Sequence, residues 1–175
     1  MTISEQNRQV REVVDQIVAR LAELDRLSED VSPHPLGPPA SEASVEALER
    51  RIGMSLPSDY KAFLLMHDGW EGFSGENALL SVAQMTSGPI QAHLADLQGT
   101  LRDLGQTRAA EGLVIEASFG TRLAYFDRAT GNGEHPEVVF WDRREIKRYG
   151  SFLEYLEDYV SSLDELIAQE KENVR

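Results

Sequence analysis

The sequence predicts an α+β protein: a mainly antiparallel sheet in the second half is packed by helices from the N-terminal half and by a C-terminal helix. Three observations lead to this prediction. Apolar residues recur at helical spacing up to Gly105. Short segments rich in β-branched and aromatic residues then follow, separated by turn residues. The last segment returns to helical spacing. Helices and strands segregated in this way are typical of α+β layer proteins.

The N-terminal segment, residues 5–29, predicts an amphipathic helix of about six turns. Such a helix must bury its apolar stripe. We expect it to pack on its own domain, and a contact with a partner chain is the alternative. The apolar positions, at helical spacing, are Val10, Val13, Val14, Ile17, Leu21, Leu24 and Leu27.

A proline-rich segment, residues 32–40, follows and contains four of the seven prolines. Proline lacks a backbone donor and restricts the residue before it, so this segment is expected to be an extended connection. The predicted organisation is a helix over residues 1–31, a connection over 32–40 and a single α+β domain over 41–170.

Capping signals place three further helices. Ser41 is a suitable N-cap, and Gly53 stands where a left-handed helix stop is wanted. Pro57 fits the first turn of the next helix, and Gly88-Pro89 opens another. The side chains expected to point inward are Val45, Leu48, Ile52, Tyr60, Phe63, Leu64, Ile90, Leu94, Leu97, Leu101 and Leu104.

Strands are predicted over residues 113–117, 122–126 and 138–141, with a short one over 78–82. The segments 118–121 and 129–135 are the expected hairpin connections. We expect one face of the sheet to carry helices and the other to face solvent or a partner. A capping box at Ser151 and Glu154 starts the closing helix, with Phe152, Tyr155, Leu156, Tyr159, Leu163 and Leu166 inward.

Composition limits the function classes. Thirty acidic against seventeen basic residues give a net charge of −13, which disfavours binding to nucleic acid or to anionic membranes. The same charge favours encounter with a basic protein. There is no cysteine, no signal-peptide pattern and no apolar run long enough to cross a bilayer. The expected location is the cytoplasm, and the oligomeric state is left open.

Catalytic patterns are absent from the sequence. His34, His67, His93 and His135 form no metal-binding spacing, and there is no nucleophile elbow, P-loop or dinucleotide-binding glycine pattern. The sequence therefore predicts a protein that is not an enzyme and needs no cofactor or metal.

Two groups of acidic residues are the candidates for partner binding. Asp68, Glu71 and Glu76 surround Trp70, while Glu154, Glu157 and Asp158 lie on the closing helix. If the two groups share a face, they form a negative patch suited to a basic protein. Trp70 is either an interface anchor or, as we prefer, a plug at the end of the core.

Several ordered motifs resemble the SUKH superfamily, which includes the fungal Smi and Knr regulators of cell-wall synthesis. The likeness covers roughly residues 36–160. It rests on the segments Glu46-Ala47-Leu48-Glu49, Ile52-Gly53, Leu56-Pro57, Asp59-Tyr60-Lys61, Phe63-Leu64, His67-Asp68-Gly69-Trp70, Ala124-Tyr125-Phe126-Asp127, Val138-Val139-Phe140 and Ser151-Phe152-Leu153-Glu154-Tyr155-Leu156.

The resemblance implies an α+β fold without catalytic residues and, in bacteria, often an immunity protein that binds and neutralises a polymorphic toxin. The expected function is that of a non-catalytic protein-binding module, whose partner is a basic toxin domain such as a nuclease. The alternative is a regulatory or scaffold protein of the Smi/Knr type in cell-envelope signalling. The N-terminal helix lies outside the resemblance.

Overall fold

The computed structural model describes residues 3–28, 33–130 and 135–173. The predicted helix-to-connection boundary at residues 29–32 and the Gly131-Asn132-Gly133 part of the predicted hairpin lie outside these ranges. The helices and strands, in chain order, are α1 Ile3–Leu27, α2 Glu42–Ile52, α3 Ser58–Met66, β1 Trp70–Ser74, β2 Asn77–Leu79, α4 Val82–Thr86, α5 Gly88–Asp103, α6 Thr107–Glu111, β3 Leu113–Ala117, β4 Arg122–Phe126, β5 Val138–Asp142, β6 Glu145–Tyr149 and α7 Phe152–Asn173.

The sheet is a six-stranded meander in which every strand pairs antiparallel with the next one in sequence, in the order β1 to β6. The α+β prediction is confirmed, with a mainly antiparallel sheet and a closing helix. The three strands predicted in the second half correspond to β3, β4 and β5. The meander has two edge strands, β1 and β6.

One face of the sheet packs against α1, α2, α3 and α7. The core on this side is rich in aromatic rings, with Tyr60 stacked edge-on against Phe126 and Phe152 at centroid distances of 5.2 and 4.9 Å. The α1 side chains Val10, Val14 and Ile17 are buried in the same core. The N-terminal helix therefore packs on the rest of the chain.

The other face of the sheet is also covered, which contradicts our expectation that it faces solvent or a partner. Helix α5 contributes Leu94 and Leu101, and α6 contributes Ala109 and Ala110, to a second core with strand residues such as Val114. The physical reason is visible in β3, where all five residues are buried. A strand that is buried along its whole length is typical of a sheet with helices on both sides.

Most helix ends follow the sequence signals. The Ser41 side chain accepts the Ser44 N–H, and Gly53 ends α2 in the left-handed conformation with φ of 69°. Pro57 is the residue before α3 rather than its first residue. Leu104, expected to point inward, is the residue after the last turn of α5 and is exposed.

The closing helix differs in register from the prediction. Its buried residues include Val160 and Ile167, while Leu166 is exposed and Tyr159 half-buried. The predicted capping box forms only in part. Ser151 accepts the Glu154 N–H, but the Glu154 carboxylate accepts the N–H of Gly150 at 2.7 Å.

Carboxylates from the recognised motifs tie segments together. Glu49 accepts the Leu56 N–H at 2.9 Å and pairs with Lys61 at 3.2 Å, which holds α2 and α3 in place. Asp59 is buried and accepts the Leu153 N–H at 2.9 Å, so its charge lies at the start of both α3 and α7. A negative charge at a helix N-terminus is stabilising.

The edge strand β6 was not predicted, because its sequence EIKRY alternates poorly and is mostly exposed. It is held by Arg148, whose guanidinium contacts Asp127 at 2.9 Å, Glu137 at 2.8 Å and Glu145 at 2.7 Å. These contacts join the ends of β4, β5 and β6. Charged side chains on an edge strand also discourage pairing with another chain.

Replacing Asp59 with Ala should destabilise the protein by about 1–3 kcal/mol, because the buried Tyr60 N–H and the half-buried Leu153 N–H lose their acceptor. Denaturant unfolding measures the change. Glu154→Ala, which removes a carboxylate acceptor from an exposed N–H at the same helix start, is the matched control and should cost less. Equal losses in the two variants would contradict the bridging role of Asp59.

Candidate functional site

Trp70 lies in the core. Its indole is 1% exposed, packs against Phe73 at 5.4 Å and donates its Nε1–H to the His34 carbonyl at 3.1 Å. The proline-rich connection runs alongside it, with Leu36 bridging to Trp70 in antiparallel fashion. The side chain therefore offers no surface to a partner, and of the two interpretations of Trp70 the structure favours the core plug.

Close packing fixes the connection beside Trp70. Gly37 donates its N–H to the Gly69 carbonyl and lies against Asp68, so that a Cβ at position 37 would stand 2.2 Å from the Asp68 carbonyl oxygen. The Asp68 carboxylate accepts the Val82 N–H at the start of α4 at 2.7 Å. Asp68 is thus half-buried and partly used in holding the fold.

Two depressions flank α4, and Gln84 lines both. The first, which we call the acidic depression, has a volume of about 420 Å³ and contains both Asp68 and Glu71. It is bounded by the proline-rich connection and by Ser81. Glu71 is exposed, and no hydrogen bond or ion pair of its side chain is found among the described residues.

The second depression, which we call the apolar depression, has a volume of about 470 Å³ and contains Glu76 at its border. Phe119 lines it from the loop between β3 and β4 and is 66% exposed. The structure therefore brings Asp68, Glu71 and Glu76 to one side of the molecule, around α4. The apolar side chains of the depression are Ala78, Leu80, Ala83, Pro89, Ile90 and Ala117.

The acidic residues of α7 lie around a different hollow. Glu154, Glu157 and Asp158 line it together with Lys147 of β6. Asp158 pairs with Lys147 and accepts the Tyr149 hydroxyl hydrogen at 2.8 Å. Burial tends to raise the pKa of Asp158, but these two contacts outweigh it and the pKa is lowered. Here a lysine partly compensates the negative charge.

Sequence and fold together make the α4 side strongly negative. No lysine or arginine occurs between Lys61 and Arg102. This stretch forms most of α3, all of β1, β2 and α4, and nearly all of α5. Among the described residues, neither depression beside α4 is lined by a lysine or an arginine. The carboxylates of this side are therefore the least neutralised candidates for meeting a basic partner.

A buried carboxyl that sequence reasoning missed lies in β3. Register shifts between Val114 and Glu116, which leaves Ile115 without a partner on β4 and turns Glu116 toward α7. Such a bulge redirects a side chain. Glu116 is fully buried, accepts a hydrogen bond from Asn77 Nδ2 at 3.0 Å and is hydrogen-bonded to the Tyr155 hydroxyl. Its position among the apolar residues of a strand gave no signal of this role.

Burial raises the pKa of the Glu116 carboxyl to about 7, although the Asn77 hydrogen bond and the Arg122 charge oppose the shift. A carboxyl with a raised pKa can serve as a catalytic acid or base. Glu116, however, lines none of the surface depressions described above, and its carboxyl is hydrogen-bonded to the Tyr155 hydroxyl of α7. The geometry fits a neutral hydrogen-bonding group in the core.

None of the described histidines is found in contact with Glu116. His34 contacts the Gly72 carbonyl at 2.6 Å and Asp25 at 3.5 Å, while His67 and His93 contact the carbonyls of Gly37 and Gly120. Within the ranges that the structure describes, no three side chains of metal-ligand type lie close enough to hold an ion. No helix in the same ranges has the length and apolar character needed to cross a bilayer.

The fold is an α+β meander with a negative side around α4. Comparison with known families gives its relationship. The chain belongs to the SMI1 / KNR4 family (SUKH-1), whose model matches residues 39–168. This confirms the resemblance noted in the sequence. Members of the family are in general non-enzymatic proteins of the immunity type, so membership supports a protein-binding module at this level.

A curated relative shares part of the chain. The uncharacterised protein YnaB of Bacillus subtilis (strain 168) is 46% identical over 37 residues, which are 21% of this chain and 26% of that protein. The match therefore spans about a quarter of the relative's length. The match shows a local sequence similarity and assigns no activity to this chain.

Glu116→Gln should remove a pH dependence of stability. Because the folded pKa is raised from 4.5 to about 7, the folded state holds the proton more tightly than the unfolded state between these values. Stability is then lost as pH rises from about 4.5 to 7. Glutamine keeps both hydrogen bonds and cannot ionise. The free energy of unfolding of the variant minus that of the parent should increase by roughly 3 kcal/mol between pH 4.5 and 7.5. Denaturant titrations across this range measure it, and a constant difference would contradict the assignment.

Proposed function

We propose that this protein is an immunity factor that binds a basic toxin domain and occludes it, using the carboxylates around α4. The observation that carries the proposal is the negative side itself, where Asp68, Glu71 and Glu76 meet no lysine or arginine over a stretch of forty residues from 62 to 101. Family membership supports the protein-binding, immunity-type part of the proposal.

The charge pattern favours a nuclease as the toxin. A nuclease holds a polyanion in a groove lined by Lys and Arg. An acidic protein that enters this groove competes for the same positive charges, and long-range attraction speeds its arrival. The net charge of −13 is suited to such competition.

The α7 group is the less favourable of the two candidate surfaces. Lys147 pairs with Asp158, and Glu154 accepts a backbone N–H, so two of its three carboxylates already have partners. Glu157 alone in this group is exposed without a side-chain contact among the described residues. We therefore assign binding to Glu71 and Glu76 first, with Asp68 contributing its charge from a half-buried position.

Co-expression tests the function directly. Cells that produce the toxin domain encoded beside this gene should survive when the chain is co-expressed, and the two proteins should co-purify. The double variant Glu71→Lys/Glu76→Lys should lose protection, because like charges then meet across the interface. Survival and complex formation are the two readouts.

The matched control is Glu157→Lys/Glu165→Lys, which changes the net charge equally on α7, where both residues are exposed. It should keep protection. Killing in the presence of the unaltered chain, with no complex in solution, would contradict the immunity function. Loss of protection only in the α7 variant would move the binding surface to that helix.

Association should also depend on ionic strength. The association rate with the toxin domain, measured by stopped flow, should fall about tenfold between 50 and 500 mM NaCl, because salt screens the attraction between exposed charges. The Glu71→Lys/Glu76→Lys variant should show a smaller fall. A rate that salt does not change would show that the negative side does not guide the encounter.

A further inference from the structure

We propose that the apolar depression beside α4 is an anchor site for a basic segment of a protein partner, with one apolar side chain inserted between Phe119 and α4 and flanking Lys or Arg residues meeting Glu76 and Glu71. The proposal rests on the proposed function for the class of partner. It specifies the surface that binds the partner and the kind of segment that occupies it.

The first support is the exposed apolar surface. Phe119 is 66% exposed on the β3–β4 loop and borders a depression whose other side chains are mostly apolar. Its ring is placed by His93, with centroids 5.7 Å apart, and the loop is held by His93 Nε2 at 3.1 Å from the Gly120 carbonyl. Large aromatic side chains beside hollows are typical anchors of interfaces.

The second support is the way in which the depression arises. Ile90 and Leu80 belong to the core between the sheet and α5, and Ala78 and Ala117 are paired across β2 and β3. These two positions carry only methyl groups, which leave room beside them; Ala78 is half-buried and Ala117 is buried. The depression, of about 470 Å³, is large enough for an aromatic or branched aliphatic side chain.

The charge of the border selects the occupant. Glu76 lies at the apolar depression, and the acidic depression with Glu71 and Asp68 begins on the other side of Gln84. None of the described residues that line either depression is a lysine or an arginine. An acidic or neutral apolar segment would leave these carboxylates uncompensated, whereas a segment with Lys or Arg on both sides of its anchor matches them.

A second apolar hollow is a poorer match. Ile146 and Leu166 are exposed around a depression of about 340 Å³ between β6 and α7, but Lys147 lies within it and pairs with Asp158. A basic segment would meet that lysine. This hollow therefore serves as the internal comparison for the test.

The test uses the full chain and a defined peptide. The peptide is a capped heptapeptide with a central Phe that is flanked on each side by Ser, Arg and Lys. Titration followed by ¹H–¹⁵N NMR should show saturable shifts at the amides of Ala83, Ser118 and Phe119, with a dissociation constant on the order of 1 mM or tighter. A peptide with Ser in place of the central Phe should bind at least about fivefold more weakly.

Variants of the protein locate the site. Phe119→Ser and Ala83→Trp, which remove the aromatic border and fill the hollow, should each weaken binding about fivefold or more. Leu104→Ser removes a side chain of similar exposure, 69%, at the end of α5 and should leave binding unchanged. Both altered side chains of the depression are exposed, and dispersed amide spectra verify that each variant is folded.

The outcomes are distinct. Absence of saturable shifts up to 5 mM peptide, equal binding of the Ser-centred peptide, or shifts centred on Ile146 and Leu166 would each overturn the anchor site. Peptide binding at Phe119 in a chain that gives no protection against the toxin would support the anchor site and contradict the proposed function. Protection against the toxin without peptide binding would support the proposed function and contradict the anchor site.

Discussion

The architecture depends on one constraint, which is that both faces of the six-stranded sheet are apolar and must be covered. The chain meets it by drawing one layer from α1, α2, α3 and α7 and the other from α5 and α6. The second layer is shorter and reaches Val114, Tyr125 and Val139 but not the whole of β2. The hollow beside Phe119 is therefore a result of how two unequal layers cover one meander.

Carboxylates perform two physical roles in this fold, and backbone geometry separates them. Glu49, Asp59 and Asp68 each accept a backbone N–H from a distant or following segment. Their carboxylates therefore hold elements of the fold together. Glu71 and Glu76 are exposed, and no such contact of their side chains is found among the described residues. An acidic residue in a family motif can thus be structural, while nearby exposed carboxylates on β1 and in the β1–β2 turn carry the surface charge.

Much of the architecture could be predicted from periodicity and caps, because these are local properties. Ser41, Gly53 and Gly88-Pro89 mark helix ends through their own backbone preferences. The strand β6 could not be found in this way, since its stability comes from Arg148 and from pairing with β5. The burial of the second sheet face was missed although β3 shows it, because the alternating pattern of one-sided sheets was assumed.

The candidate site was predictable only in part. The acidic residues near Trp70 could be named from sequence, but their separation from the α7 group depends on the tertiary fold and on Lys147. Glu116 illustrates the limit, since a bulge that no residue type announces turns a strand carboxyl inward toward Tyr155.

The missing lysines between residues 62 and 101 have a consequence for regulation. Acetylation or methylation of lysine changes the charge or the hydrogen bonding of many protein surfaces. The stretch from residue 62 to 101 offers no lysine for this chemistry, and His67 and His93 are its only basic residues. Lysine modification therefore cannot change the charge that this stretch contributes to the negative side.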